Sequence, residues 1–284
     1  MLLSTKRITA MQSKLKEKFI ETKHGKIFYY LSSFPSDKPT VVFLHGLTAN
    51  HTQCYKIINL LEKEGYSCLI PDLRGHGNSD KSKKRQLYEI PVFIEDIRQI
   101  VEQEKLSQII LAGYSFGGMI ALGFAIEYPD LVSELVLIST NYIGPLRHWG
   151  IGFTLPIWRN LLAIAGAALL WQRRKEYYYY RHDESLTYWR ATMLGFMTMP
   201  ISLDMWMLRQ IISIDYEKSL NKIKSRTLLI QSDVEPFISK NEIATMLSKI
   251  PNAKVVIAKQ ETHFIATETQ EETAEYILKF LKKI

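Results

Sequence analysis

Cysteine is nearly absent: Cys54 and Cys68 are the only two in the chain. Two thiols cannot build a disulfide framework, and their spacing is not the C-x-x-C of a zinc or redox site, so the composition fits a reducing cytosol. The first residues do not read as a good secretory leader. Met1 to Phe19 opens with a short apolar run and then turns to Lys and Gln, with no apolar core or small-residue cleavage site behind it. The expected mature start is therefore near Met1 or Met11, and the expected location is cytoplasmic. Charge of one sign does not dominate either, because 36 Lys and Arg stand against 29 Asp and Glu for a net +7. The basic residues are dispersed, and no zinc-finger spacing, RNA-binding aromatic signature or basic heptad accompanies them. A solvated surface follows, and nucleic acid is not an expected partner.

Uninterrupted hydrophobic runs are scarce. Leu106 to Ile126 is uncharged for 21 residues, which on paper spans a bilayer, but Ser107, Gln108, Gly113, Ser115, Gly117 and Gly118 break it. A buried strand, a glycine turn and a buried helix account for the stretch better. No repeat or low-complexity tract is visible apart from Tyr177 to Tyr180. What is present is apolar material in quantity: 46% of the residues are hydrophobic, which excludes disorder and collagen-like chains. The length admits one large domain or two small ones.

The pattern along the chain alternates strand and helix. Lys26 to Leu31, Thr40 to Leu44 and Ser67 to Ile70 read as strands, with helices at Tyr55 to Glu64 and Val92 to Glu104. Gln108 to Ala112 and Leu135 to Ser139 are near-continuous apolar runs, as expected of central parallel strands covered on both faces. A helix from Gly117 to Glu127 lies between them. The alternation stops after Asn141 and resumes with strands at Arg226 to Ile230 and Lys254 to Ala258 and helices at Asn241 to Ser248 and Glu271 to Lys282. The intervening segment reads as helical and holds all five Trp (149, 158, 171, 189, 206) and five of nine Met (193, 197, 199, 205, 207). The expected division is an N-terminal extension at 1–18, a sheet core at 19–141 and 226–284, and a helical cap at 142–225.

Gly113-Tyr114-Ser115-Phe116-Gly117 sits between an expected strand and an expected helix. A serine on so tight a turn is held with its hydroxyl exposed, the flanking glycines let the backbone pass close by, and the helix adds a positive dipole end. With this motif, Phe43-Leu44-His45-Gly46-Leu47, Pro71-Asp72-Leu73-Arg74-Gly75-His76-Gly77-Asn78-Ser79, Thr227 to Ser239 and Thr262-His263-Phe264, the sequence resembles the α/β-hydrolase family. The resemblance covers nearly the whole chain except the first 18 or so residues and the cap. It implies an α/β fold, a mostly parallel sheet with helices on both faces and an inserted helical cap.

A serine hydroxyl needs a base, and the base needs a group that fixes its tautomer. Of the seven histidines, 24, 45, 51, 76, 148, 182 and 263, only His263 lies between the last expected strand and the last helix, downstream of an acid in the family's order. His45 and His76 fall in glycine loops, where a structural imidazole bonding backbone is the better reading. The family pattern strand-G-x-x-D-P sets Ser232 at the glycine and Glu235 before Pro236. Glu235 is thus the favoured acid, and Asp233, shorter and two residues away, is the competitor. By the same resemblance the oxyanion-hole donors are the backbone N–H groups of Leu47 and Phe116.

No His, Asp or Glu cluster has metal-ligand spacing, so neither metal nor cofactor is expected. Serine at the elbow argues against epoxide opening and halide displacement, for which the family uses Asp. Ester, thioester, lactone, amide and carbon–carbon bond hydrolysis remain, with cofactor-free lyase or perhydrolase chemistry. Trp, Met and Leu in the cap suit an apolar pocket, although each suits the cap's own core as well. The leading expectation is a serine hydrolase of a lipophilic ester, such as a monoacylglycerol or medium-chain ester. The alternatives are a thioesterase, lactonase or C–C bond hydrolase with the same triad, or a slow-turnover small-molecule receptor. Asn160 to Trp171, apolar on most faces and followed by Arg173-Arg174-Lys175, suggests transient contact with a membrane surface.

Overall fold

The computed structural model describes residues 16–32, 37–170, 199–259, 263 and 265–282. Eight strands form one sheet: β1 (Lys16–Thr22), β2 (Gly25–Ser32), β3 (Thr40–Leu44), β4 (Cys68–Pro71), β5 (Ile109–Tyr114), β6 (Val132–Ile138), β7 (Arg226–Ser232) and β8 (Ala253–Ala258). Their order is β1-β2-β4-β3-β5-β6-β7-β8. The β1/β2 and β2/β4 pairs are antiparallel and the rest are parallel.

The apolar runs are continuous because both faces are covered. Val42, Leu44, Ile109, Leu111, Leu135 and Leu137 point into one core, under α2 (Ile90–Gln103) and α3 (Phe116–Glu127). Their alternates Val41, Phe43, Ile110, Ala112, Val136 and Ile138 point into the other, under α1 (Tyr55–Lys63) and α8 (Gln270–Leu281). The uncharged run from Leu106 resolves as the end of a loop, then β5, a turn and α3.

The first boundary needs correction. β1 begins at Lys16, inside the segment expected as an extension, and pairs along its whole length with β2. It is an edge strand in which only Ile20 and Thr22 are buried, so its exposed Lys and Glu replace the continuous apolar run that central strands show.

The described part of the cap, 142–170 and 199–225, contains α4 (Pro145–His148), α5 (Leu155–Ala168) and α6 (Ile201–Ile211). Its two ends meet: Tyr216 N–H donates to Tyr142 O and Gly144 N–H to Ile214 O, both at 2.9 Å. A Cβ on Gly144 would lie 2.5 Å from Ile212 O, so this crossing requires glycine. Glu242, which caps α7 (Lys240–Lys249) with Ser239, also accepts from Asn141 Nδ2 at 2.9 Å and lies 2.9 Å from His148 Nδ1. One buried carboxylate thereby ties the cap's first helix to the sheet domain. Trp206, Met199 and Met207 are buried in the core, whereas Trp149 and Trp158 are about half exposed. Trp171, Trp189, Met193 and Met197 lie outside the described residues.

Asp204 on α6 is 0% exposed, and neither carboxylate oxygen has a partner among the described residues. Burial raises its pKa to about 8. The folded chain therefore keeps a proton that the unfolded chain releases, and stability falls as pH rises toward 8. Asp204→Asn should melt higher than wild type, by a margin that widens from pH 5 to pH 8 and reaches on the order of 2 kcal/mol. Parallel melting curves across that range would show that the carboxyl is not held neutral.

Candidate active site

Ser115 stands between β5 and α3 with φ +50° and ψ −114°, a left-handed conformation that costs a non-glycine residue energy. Its N–H donates to Ile138 O at 2.9 Å, fixing the turn to the next strand. The glycines on either side are steric requirements. A Cβ on Gly117 would lie 2.3 Å from Leu44 O and 2.4 Å from His45 O, and one on Gly113 would lie 2.5 Å from Gly117 O. The turn can therefore pack directly on the end of β3.

The chain brings His263 and Glu235 to this serine. Ser115 Oγ is 3.2 Å from His263 Nε2, and His263 Nδ1 is 2.7 Å from Glu235 Oε1. With Nδ1–H donating to the carboxylate, Nε2 is left to accept the serine proton. The Glu235 side chain is 2% exposed, and its Oε1 also accepts from Phe237 N–H at 3.3 Å. Asp233 behaves differently: it is exposed, its N–H donates to Ala258 O at 3.1 Å, and its carboxylate makes no hydrogen bond among the described residues. Thr262 and Phe264 lie outside the described residues.

Leu47 and Phe116 flank the serine from the loop after β3 and the start of α3. Among the described residues neither N–H is taken up by a protein acceptor. The loop carrying Leu47 is pinned on both sides. Gly46 N–H donates to Gln53 Oε1 at 3.0 Å, and Thr48 N–H, at φ +62°, donates to His76 Nε2 at 3.2 Å. His45 Nε2 accepts from Leu73 N–H at 3.0 Å. Each of these imidazoles lies near a carbonyl through Nδ1, Gly46 O for His45 at 2.8 Å and Arg74 O for His76 at 3.0 Å. Both rings are therefore neutral with the proton on Nδ1. Burial lowers His45 to about 4 and His76 to about 3.

Asp72 closes the arrangement. Its carboxylate, 0% exposed, accepts from His51 N–H at 2.7 Å and from Asn78 N–H at 2.7 Å, and lies 2.8 Å from His51 Nδ1. Burial alone would raise this carboxyl, but the bonds from His51 and Asn78 and the nearby imidazoles hold it below the usual range. Arg74 in the same loop reaches away to Asp96, with Nε–Oδ2 at 2.8 Å and a second bond at 2.6 Å, fastening the loop to α2. Asp72, His51 and Gln53 were not singled out by sequence reasoning as parts of the site; Asp72 and Arg74 were visible only as letters of a motif. Phe237, whose ring centroid is 5.2 Å from that of His263, carried no sequence signal at all. Among the described residues no group of three His, Cys, Asp or Glu side chains is disposed to hold a metal ion.

A strained serine turn at the end of the fifth strand of a mostly parallel sheet, with a histidine and a carboxylate in line, defines the hydrolase class of α/β folds. The family model described as alpha/beta hydrolase fold matches residues 39–268, and the chain belongs to that family. Among curated relatives, "Epoxide hydrolase 4" of Homo sapiens is 34% identical over 132 residues, which cover 44% of this chain and 35% of that protein. "Epoxide hydrolase 1" of Caenorhabditis elegans is 28% identical over 131 residues, covering 46% and 32% respectively. The chain thus spans about a third of the length of the curated relatives it matches. Solved structures share the fold: the enol-lactonase from Burkholderia xenovorans LB400 (TM-score 0.73, 17% identity, 94% of this chain and 100% of that one) and an esterase from Exiguobacterium antarcticum (0.72, 22%, 94% and 100%).

The buried imidazoles set a pH dependence with a definite sign. Unfolded His45 and His76 take up protons near the ordinary histidine value of about 6.5, whereas the folded rings stay neutral to far lower pH. Stability should therefore decline as pH falls from about 6.5 toward 4. In His76→Gln, melting curves from pH 7 to 4.5 should lose on the order of 1 kcal/mol per pH unit of that decline. An unchanged slope would mean that His76 is not held neutral in the folded state.

Proposed function

We propose that the chain is a cofactor-independent serine hydrolase that cleaves a lipophilic carboxylic ester through an acyl-enzyme. The observation that carries this reading is the chain of contacts Ser115 Oγ to His263 Nε2 at 3.2 Å and His263 Nδ1 to Glu235 Oε1 at 2.7 Å. In the proposed cycle Ser115 Oγ attacks the carbonyl carbon while its proton passes to His263 Nε2. The tetrahedral oxygen, now negative, is met by the N–H groups of Leu47 and Phe116. Collapse expels the alcohol with the proton from His263, and water, deprotonated by the same ring, releases the acid. Glu235 holds the imidazole and compensates its charge.

The names of the curated relatives raise epoxide opening as a second reading. Ser115 argues against it on chemical grounds. A carboxylate that opens an epoxide leaves an ester, which water can cleave, whereas a serine alkoxide would leave an ether, which it cannot. Turnover would end after one event. Thioester, lactone and C–C bond substrates fit the same three residues and differ in the leaving group. The lipophilic preference rests on the apolar character of the cap, with Trp149, Trp158 and Phe153 exposed on it and Phe237 beside His263.

A p-nitrophenyl ester series from acetate to laurate tests the reading. Sustained multiple turnovers with kcat/KM rising toward the middle chain lengths are expected; a single burst without turnover would favour a slow receptor instead. The acid is tested separately. Glu235→Gln should lower kcat by about a hundredfold or more, because it loses the charge that compensates the imidazolium, while Asp233→Asn stays within about twofold of wild type. The reverse ranking would give the role to Asp233.

A further inference from the structure

The cap carries an apolar surface that no described part of the protein covers. Phe153 is 81% exposed, Ile164 66%, Ile157 61%, Leu161 50% and Trp158 47%. On α5 the residues 157, 161 and 164 recur at helical spacing, so a single stripe of the helix faces outward. The opposite side packs on α6: Gly166 is buried and sits so close to Trp206 that a Cβ would lie 2.2 Å from its Nε1. The helix is thus apolar on the side that meets α6 and on the side that faces solvent. Monomeric proteins rarely leave such a surface without a use.

Charge identifies the partner. From Tyr142 to Lys175 the sequence contains five basic residues and no acidic one. Arg147, which precedes α5, pairs with Asp215, and Arg159 lies on the side of α5 that faces α6, while Arg173, Arg174 and Lys175 follow the helix in sequence outside the described residues. Arg209 on the adjacent α6 is held below its ordinary value, first by burial and then by the nearby charges of Arg159 and Arg85. Exposed Trp, Phe and Ile in a segment whose charges are all basic match an interface of hydrocarbon below and anionic headgroups around it. Among the described residues no helix is long and apolar enough to cross a membrane, so the match is to lying on a bilayer.

The surface also leads to the site. The Trp149 ring centroid is 6.0 Å from that of Phe237, and Phe237 is 5.2 Å from His263. We infer that the face formed by Phe153 and the outer stripe of α5 docks on a bilayer containing anionic phospholipid, and that Trp149 and Phe237 mark the route by which a lipid ester reaches Ser115. This deepens the ester-hydrolase reading by naming the source of the substrate, and the route, though not the docking, rests on that reading.

The test is co-sedimentation with large vesicles of phosphatidylcholine alone and of phosphatidylcholine with phosphatidylglycerol at about 3:1. The wild-type chain and Ser115→Ala should both sediment with the anionic vesicles, less with the neutral ones, and less at high salt. Phe153→Asp combined with Ile157→Asp should reduce the bound fraction by about tenfold, with an unchanged melting temperature and unchanged turnover of a short, water-soluble ester. Wild-type protein that stays in the supernatant, or a double variant that binds as well, would overturn the inference. So would a dimer in sedimentation velocity that the double variant makes monomeric, because the face would then belong to a second copy. Binding without hydrolysis of any ester would leave the docking surface standing and remove the ester-hydrolase reading; hydrolysis without binding would do the opposite.

Discussion

The whole site hangs on one steric constraint, the approach of Gly117 to the carbonyls that end β3. Because Leu44 O and His45 O leave no room for a side chain there, the first turn of α3 rests on the last residues of β3. That contact does two things at once. It forces Ser115 into its left-handed conformation at the head of the helix, and it brings the loop of Leu47 alongside. Ser115 and the two N–H groups proposed as oxyanion donors are therefore not two features placed near each other. They are the two sides of one backbone contact, and the energy that holds Ser115 off its preferred conformation comes from the packed strands on either side.

Electrostatics fix what sterics leave free. The loop carrying Leu47 and Thr48 has no regular structure, and its shape is held by side chains that arrive from elsewhere. His76 receives the Thr48 N–H, Gln53 the Gly46 N–H, and Asp72 the His51 N–H. Two rings can act as acceptors here only because burial keeps them neutral, and one carboxylate stays charged in the same environment because donors surround it. Neutral imidazole and anionic carboxylate are thus sorted by hydrogen bonding within a few ångströms. In the cap, Glu242 is bonded by Ser239, Asn141 and His148, while Asp204, with no donor among the described residues, is driven toward its neutral form.

Much of this was legible in the sequence, and the exceptions have physical reasons. The parallel strands were visible because double-sided burial makes them continuously apolar, and Ser115 because glycines at 113 and 117 have no other explanation so near a strand end. His263 could be chosen from its place in the chain order. Spacing against the family pattern favoured Glu235 over Asp233 but left Asp233 open, because both follow the end of β7 at Ser232 within three residues. The Asp233 N–H is held to Ala258 O, and the longer side chain two residues on is the one that meets the imidazole. β1 was missed because an edge strand with exposed Lys and Glu has no apolar run to read. The network around Asp72 was invisible because it joins loops that meet only in the folded chain. Cap composition was ambiguous for the same reason: Trp206 and Phe153 look alike in sequence, yet one is buried and the other open to solvent.

The central claim is that Ser115 is a nucleophile made reactive by His263 and Glu235, and it is tested without knowing the substrate. The protein is incubated with a fluorophosphonate probe and its intact mass is measured, with Ser115→Ala as the comparison. The account predicts a single adduct on the wild-type chain and none on the variant. Folded wild-type protein that takes up no probe, or an adduct that persists in Ser115→Ala, would contradict it.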